Sequence, residues 1–160
     1  MSSPVPIGDL SQWLSQSVID IFDTMFTLAA QPGPVPAFAE GKPLILAAIG
    51  FAGDANVDVV LQTPADAAAR LASNILGMPV QELDEDMVND VVGELANMVV
   101  GSVKSRVSDM GVSCVMTIPT IFRCTQCRTA SSGTSERRSL GFRYGNDDLL
   151  VEVALKTPKK

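Results

Sequence analysis

Residues 84–111 read DEDMVNDVVGELANMVVGSVKSRVSDMG. At about 100° per residue, Val88, Val91, Val92, Leu95, Val99 and Val103 fall on one face, so the segment reads as a long helix packed on a core. Asp84, Glu85 and Asp86 stand at its start, Lys104 and Arg106 near its end, and Gly111 follows it; both ends complement the helix dipole. A second stripe, Asp90, Glu94, Asn97, Gly101 and Lys104, repeats in steps of three and four on another face. Met87 and Met98 flank it. The helix therefore presents a carboxylate and, one turn later, an amide, bordered by two adaptable thioethers. Spacing alone describes equally well the solvated face of any amphipathic helix. Gly101 stands out, because a mid-helix glycine costs about 1 kcal/mol relative to alanine. It marks a close approach, either by a partner or by internal packing.

Outward from this helix the chain is punctuated clearly. On the N-terminal side, Thr63 as cap and Pro64 at the first helical position predict a helix to about Leu76, stopped by Gly77. Before it, PLILAAIGF (43–51) reads as a buried strand that turns through Gly53-Asp54-Ala55-Asn56 into a strand from Val57 to Gln62. Residues 9–30 carry Leu10, Leu14, Val18, Ile21, Phe22, Met25 and Leu28 at helical spacing, with Asp9 as cap and Gln31-Pro32-Gly33-Pro34 as the stop. On the C-terminal side, Val112–Phe122 reads as a strand whose Pro119 confines it to an edge or a bulge. Residues 125–139, rich in Ser and Thr, read as a loop. Leu140–Tyr144 and Leu149–Leu155 form a hairpin around Gly145-Asn146-Asp147. The order is that of an α+β domain covering 1–160, with loose ends over 1–8 and 157–160. Residues 18–25 faintly echo residues 91–98, an offset of 73.

Composition narrows the function. The 160 residues are 46% hydrophobic, enough for one core and too apolar for disorder. No apolar run reaches the roughly 18–20 residues of a membrane span, and MSSPVPIGDL lacks the pattern of a secretory signal. The net charge of −6 disfavours nucleic acid. Charge is also uneven: up to Val103 there are two basic residues against thirteen acidic ones, and from Lys104 ten against five. There is no histidine, which excludes Ser-His and Cys-His nucleophile pairs, a phosphohistidine and His-ligated metals.

Cys114, Cys124 and Cys127 are read as ordinary reduced cysteines of a reducing cytoplasm. Cys124-x-x-Cys127 has zinc or redox spacing, but a zinc would lack further ligands. No metal site is expected. Arg123, Arg128, Arg137 and Arg138 form a basic group, either solvated loop or docking patch.

The stretch Ala69-Arg70-Leu71-Ala72-Ser73-Asn74-Ile75-Leu76-Gly77, followed by Asp90 through Gly101, resembles the CheX/CheC/FliY phosphatase family. The family signature is an acidic residue or serine, Glu four on, Asn three later and Pro a little over twenty beyond; here these are Asp90, Glu94, Asn97 and Pro119. The likeness is strongest over 64–120. CheC-like members carry the signature on two helices. Here the first helix has Ile21 and Thr24 at the matching positions, which implies one site per chain and the CheX branch.

The resemblance implies a mixed, largely antiparallel sheet flanked by helices, and a homodimer paired through sheet edges. It further implies a cytoplasmic chemotaxis phosphatase acting on the aspartyl phosphate of a CheY-like response regulator. Asn97 would position the attacking water, while Glu94 pairs with the regulator's lysine. Asp90, Met87, Met98, Gly101 and Lys104 would contact the partner. The chain needs no cofactor of its own, because Mg²⁺ belongs to the regulator. Such chemistry asks for one water held in line with phosphorus, and an amide can both donate to it and accept from it. The alternative is a catalytically silent module that binds a regulator or a flagellar switch component.

Overall fold

Alternation decides the sheet. Between Leu44 and Gly53, Ile45, Ala47, Ile49 and Phe51 point one way and are buried against the helices, while Leu46, Ala48 and Gly50 point to the other face. The computed structural model describes residues 3–125, 127 and 135–156. Helix α1 (Ile7–Ile21) runs into a π-helical turn (Phe22–Phe26), then come β1 (Ala30–Gly33), β2 (Leu44–Gly53), β3 (Asn56–Pro64) and α2 (Ala65–Leu76). A short 3₁₀ turn (Val80–Glu82) leads to α3 (Glu85–Asp109), β4 (Cys114–Met116), β5 (Thr120–Cys124), β6 (Ser135–Tyr144) and β7 (Asp147–Lys156).

The strands form one sheet in the order β1-β6-β7-β3-β2-β4. β5 lies in line with β4 along the same side of β2. The α+β class is as the sequence predicts. Every ladder among the described residues is antiparallel, which corrects the mixed sheet that was expected. The β2–β3 and β6–β7 hairpins join through β3 and β7, and no crossover helix is interposed to make neighbours parallel.

All three helices cover one face of the sheet. Helices α1 and α3 run antiparallel. Ser17 Oγ donates to the Val99 carbonyl at 3.1 Å, and the Arg106 guanidinium lies 5.9 Å from the Trp13 ring centroid, within cation–π range. At the other end of the core Tyr144 is buried against Phe22. Thr63 Oγ1 donates to the Asp148 carbonyl at 2.8 Å, so its oxygen accepts from Tyr144 Oη at 2.7 Å. Burial raises the Tyr144 phenol well above its ordinary pKa.

Several expectations are corrected. Val5 and Ile7 are buried and α1 begins at Ile7, so the chain is not loose over 5–8, and Asp9 lies in the first turn rather than capping. Residues 30–33 are an edge strand, not the helix end and stop that were expected there; Pro32 is tolerated because an edge strand leaves N–H groups unpaired. Thr63 lies within β3 with its hydroxyl turned to Tyr144, and Pro64, the last residue of β3, takes the cap position of α2. Ser135 to Ser139 belong to β6, not to a loop: they pair with β7 while mostly exposed, so no apolar alternation betrays them. The expected single strand 112–122 is split at Thr117-Ile118-Pro119, with Thr117 N bonded to the Gly50 carbonyl at 2.8 Å. The expected loose end 157–160 and Arg128 lie outside the described residues. No helix among the described residues is long and apolar enough to cross a membrane.

Candidate active site

The site helix is held at its start by its own cap, Asp84 accepting from the Met87 N–H at 2.8 Å. Val88, Val91, Val92, Leu95, Val99 and Val103 are all buried, the face read from their spacing. At 25 residues α3 is the longest helix, and its exposed stripe crosses the surface between two borders. On one side runs the edge strand pair. Arg123 Nε donates to Asn89 Oδ1 at 3.0 Å, Ile121 Cδ1 stands beside Gly93 and Met116 Sδ beside Gly101. On the other side lie the π-turn and the end of α2, where Met25, Ile75, Leu76, Met87 and Val91 line a shallow cavity of about 380 Å³ with Asp90 and Glu94 at its rim.

Asp90 and Glu94 are exposed and Asn97 is half-buried. Neither Glu94 nor Asn97 forms a hydrogen bond or ion pair with the described residues. A carboxylate and an amide thus stand on successive turns of a rigid helix, with their polar ends available to something outside the chain. Met98 is 37% exposed, and Gly101 and Lys104 are half-buried on the same stripe. A Cβ on Gly101 would meet only Met116 Sδ, at 3.7 Å. That is ordinary contact, so internal packing does not require glycine there.

Sequence reasoning missed Met25, Ile75 and Leu76. A signal existed for Ile75, which continues the buried Ala68–Leu71–Ala72 face of α2 by helical spacing yet is 38% exposed, with Leu76 at 45%.

A larger cavity, about 750 Å³, lies on the opposite face of the sheet among Leu46, Val60, Phe122, Cys124, Cys127 and Glu152. It contains none of the stripe residues. The exposed stripe, where Glu94 and Asn97 stand without partners among the described residues, is the candidate site. The cysteines depart from expectation: Cys124 and Cys127 are joined as a disulfide, and Cys114 is a free, buried thiol. Cys124 ends the edge strand and Cys127 is half-buried near it, so folding brings together two thiols that spacing alone left unpaired. No group of three or more metal-ligating side chains occurs among the described residues.

Comparison with known proteins gives the family and the fold. The model of the family described as chemotaxis phosphatase CheX matches residues 45–143, more than half the chain and all of the site helix. Among curated proteins no sequence matches. Among solved structures, a CheC-like superfamily protein from Shewanella sp. PV-4 superposes with a TM-score of 0.79 at 22% identity, covering 93% of this chain and 98% of that one. The chemotaxis protein CheX from Vibrio vulnificus gives 0.77 at 21%, covering 92% and 97%. The CheX–CheY–BeF₃–Mg²⁺ complex from Borrelia burgdorferi gives 0.75 at 16%, covering 93% and 99%.

Proposed function

The chain belongs to the CheX family of chemotaxis phosphatases, and from that premise we propose that it hydrolyses the aspartyl phosphate of a CheY-like receiver domain. The observation that carries this reading is the pair Glu94 and Asn97, one turn apart on α3 and without partners among the described residues. In the proposed step a water oxygen bonds to phosphorus as the phosphorus–oxygen bond to the aspartyl carboxylate breaks. The carboxylate leaves as an anion, and the water's proton goes to the departing phosphate or to solvent. Asn97 positions that water through its amide, and Glu94 fixes the docking register by pairing with the receiver's lysine. The receiver, not this chain, is assigned the Mg²⁺. Asp90, Met87, Met98, Gly101 and Lys104 complete the contact surface. The setting is the cytoplasm, where receiver domains are found.

The same reading includes a homodimer formed through a sheet edge. Val115, Ile118 and Phe122 are 75%, 87% and 52% exposed along the β4–β5 edge, and this apolar border, unpaired among the described residues, supports pairing there. Light scattering at micromolar concentration checks it; a monomer throughout removes the dimer.

The main test charges each of the host's receiver domains with a small phosphodonor and follows phosphate loss. Acceleration of at least one is expected. If none responds, the chain is a binding module that has kept the signature without the turnover.

A further inference from the structure

The cavity between α2, the π-turn and α3 is open to solvent, and the exposure of its apolar lining calls for an explanation. Ile75 and Leu76 end α2 just before Gly77, whose φ of +66° turns the chain away, so nothing of α2 continues over them. Met25 comes from the π-turn and Met87 from the first turns of α3, so three separate elements converge. Two of the five apolar lining residues are methionines, which adapt to varied apolar shapes.

The polar rim is of one sign. Among the described residues Asp90 and Glu94 are its only charged members, and both basic residues that precede Val103 are engaged elsewhere, Lys42 with Asp66 and Arg70 with Asp66 and Asp147. Glu94 belongs at once to this rim and to the Glu94–Asn97 pair, so the cavity is continuous with the proposed docking stripe.

We propose that this cavity is the specificity pocket for the receiver: it takes one apolar side chain that the phosphorylated partner carries beside a lysine or arginine. The inference rests on the receiver-phosphatase reading and adds to it a residue-level basis for partner choice. The acidic rim attracts and orients a cation. The apolar floor then discriminates among receivers by the size of the side chain next to that cation, since each buried methylene group changes affinity several-fold. Asn97 stands outside the cavity, so the pocket acts on binding and leaves the positioning of water to the next turn.

The test measures affinity for each host receiver domain charged with beryllofluoride and Mg²⁺, together with turnover of the phosphorylated form. Leu76→Gln and Ile75→Gln are expected to weaken binding by about 10- to 100-fold, the scale of one lost apolar side-chain burial. Their salt dependence should match wild type, and turnover at saturating receiver should be near normal. Leu76→Met should retain affinity, and melting curves verify that all variants are folded. If folded Leu76→Gln and Ile75→Gln bind as wild type does while Glu94→Ala binds poorly, the pocket is refuted and the phosphatase reading stands. If no receiver binds the wild-type chain, both fall. A self-association seen by light scattering and abolished by Leu76→Gln, with receiver binding intact, assigns the pocket to a second copy and overturns the proposal.

Discussion

Helices α1 and α3 carry the same faint sequence echo, yet they dispose of their polar positions in opposite ways. At the offset of 73, Ser17, Ile21 and Thr24 stand where α3 has Asp90, Glu94 and Asn97. Ser17 is buried with its hydroxyl on the Val99 carbonyl, and Ile21 is 8% exposed in the core. Thr24 bonds back to the Asp20 carbonyl at 2.9 Å, just before the chain leaves its π-turn through Thr27 at φ +54°. Both hydroxyls, Ser17 on α1 and Thr24 on the π-turn after it, are satisfied within the molecule. On α3 the carboxylate and amide face outward with no partner among the described residues. On the proposed reading, a helix that acts on another protein keeps its hydrogen-bonding capacity unused at home, while one that supports the fold consumes it.

The sharpest way to test that contrast is Asn97→Ala. A contact made mainly in the transition state is expected to cost about 10²-fold or more in turnover, with binding of the phosphorylated receiver largely spared. Normal hydrolysis by the folded variant would sink the assignment. Writing the α3 residues into α1 approaches it from the other side. Ile21→Glu is expected to cost about 2–3 kcal/mol of stability, because it places a carboxylate in the core. Denaturant unfolding measures this, and a stable Ile21→Glu/Thr24→Asn chain with doubled turnover would break the comparison.

Glu94→Ala is expected to weaken receiver binding by about 10-fold at low salt and to flatten its dependence on ionic strength, as loss of an ion pair does. Titration at two salt concentrations reads it, and unchanged affinity at both would remove the proposed lysine contact. The smallest effect belongs to Gly101→Ala. Space for the Cβ exists, so stability should rise by up to about 1 kcal/mol from helix propensity. A fall in melting temperature would show that α3 needs its glycine for packing; a rise with weaker receiver binding would place the partner's surface against it.

The legible part of the fold was the part fixed by local chemistry. Asp84, the valine face and Gly111 delimit α3 because cap, period and stop agree. Gly77 ends α2, and Gly145, at φ +60°, turns the last hairpin. What escaped was decided at a distance. β1 passes through Pro32, a residue that reads as a stop until β6 is known to lie beside it. The first five residues of β6 have no apolar alternation, and β7 alone makes them a strand. Thr63 looks like a cap by position, and only Tyr144 and Asp148, far along the chain, give its hydroxyl another use. At the site, Glu94 and Asn97 could be singled out from a plain solvated face only through family resemblance. The floor of the neighbouring cavity was hidden because Met25, Ile75 and Met87 come together only in three dimensions.

The pairing of Ala30 with Tyr144 has a consequence for biosynthesis. β1 emerges from the ribosome well before its neighbour β6. β3 likewise lies between β2, its immediate neighbour in sequence, and the much later β7. Until β6 and β7 have been made, the nascent chain can form the β2–β3 hairpin and its helices but cannot complete the sheet beneath α1. Such distant pairings raise contact order and slow folding. During translation the apolar faces of β3 and α1 stay unmatched, open to chaperones and to misassociation between neighbouring nascent chains.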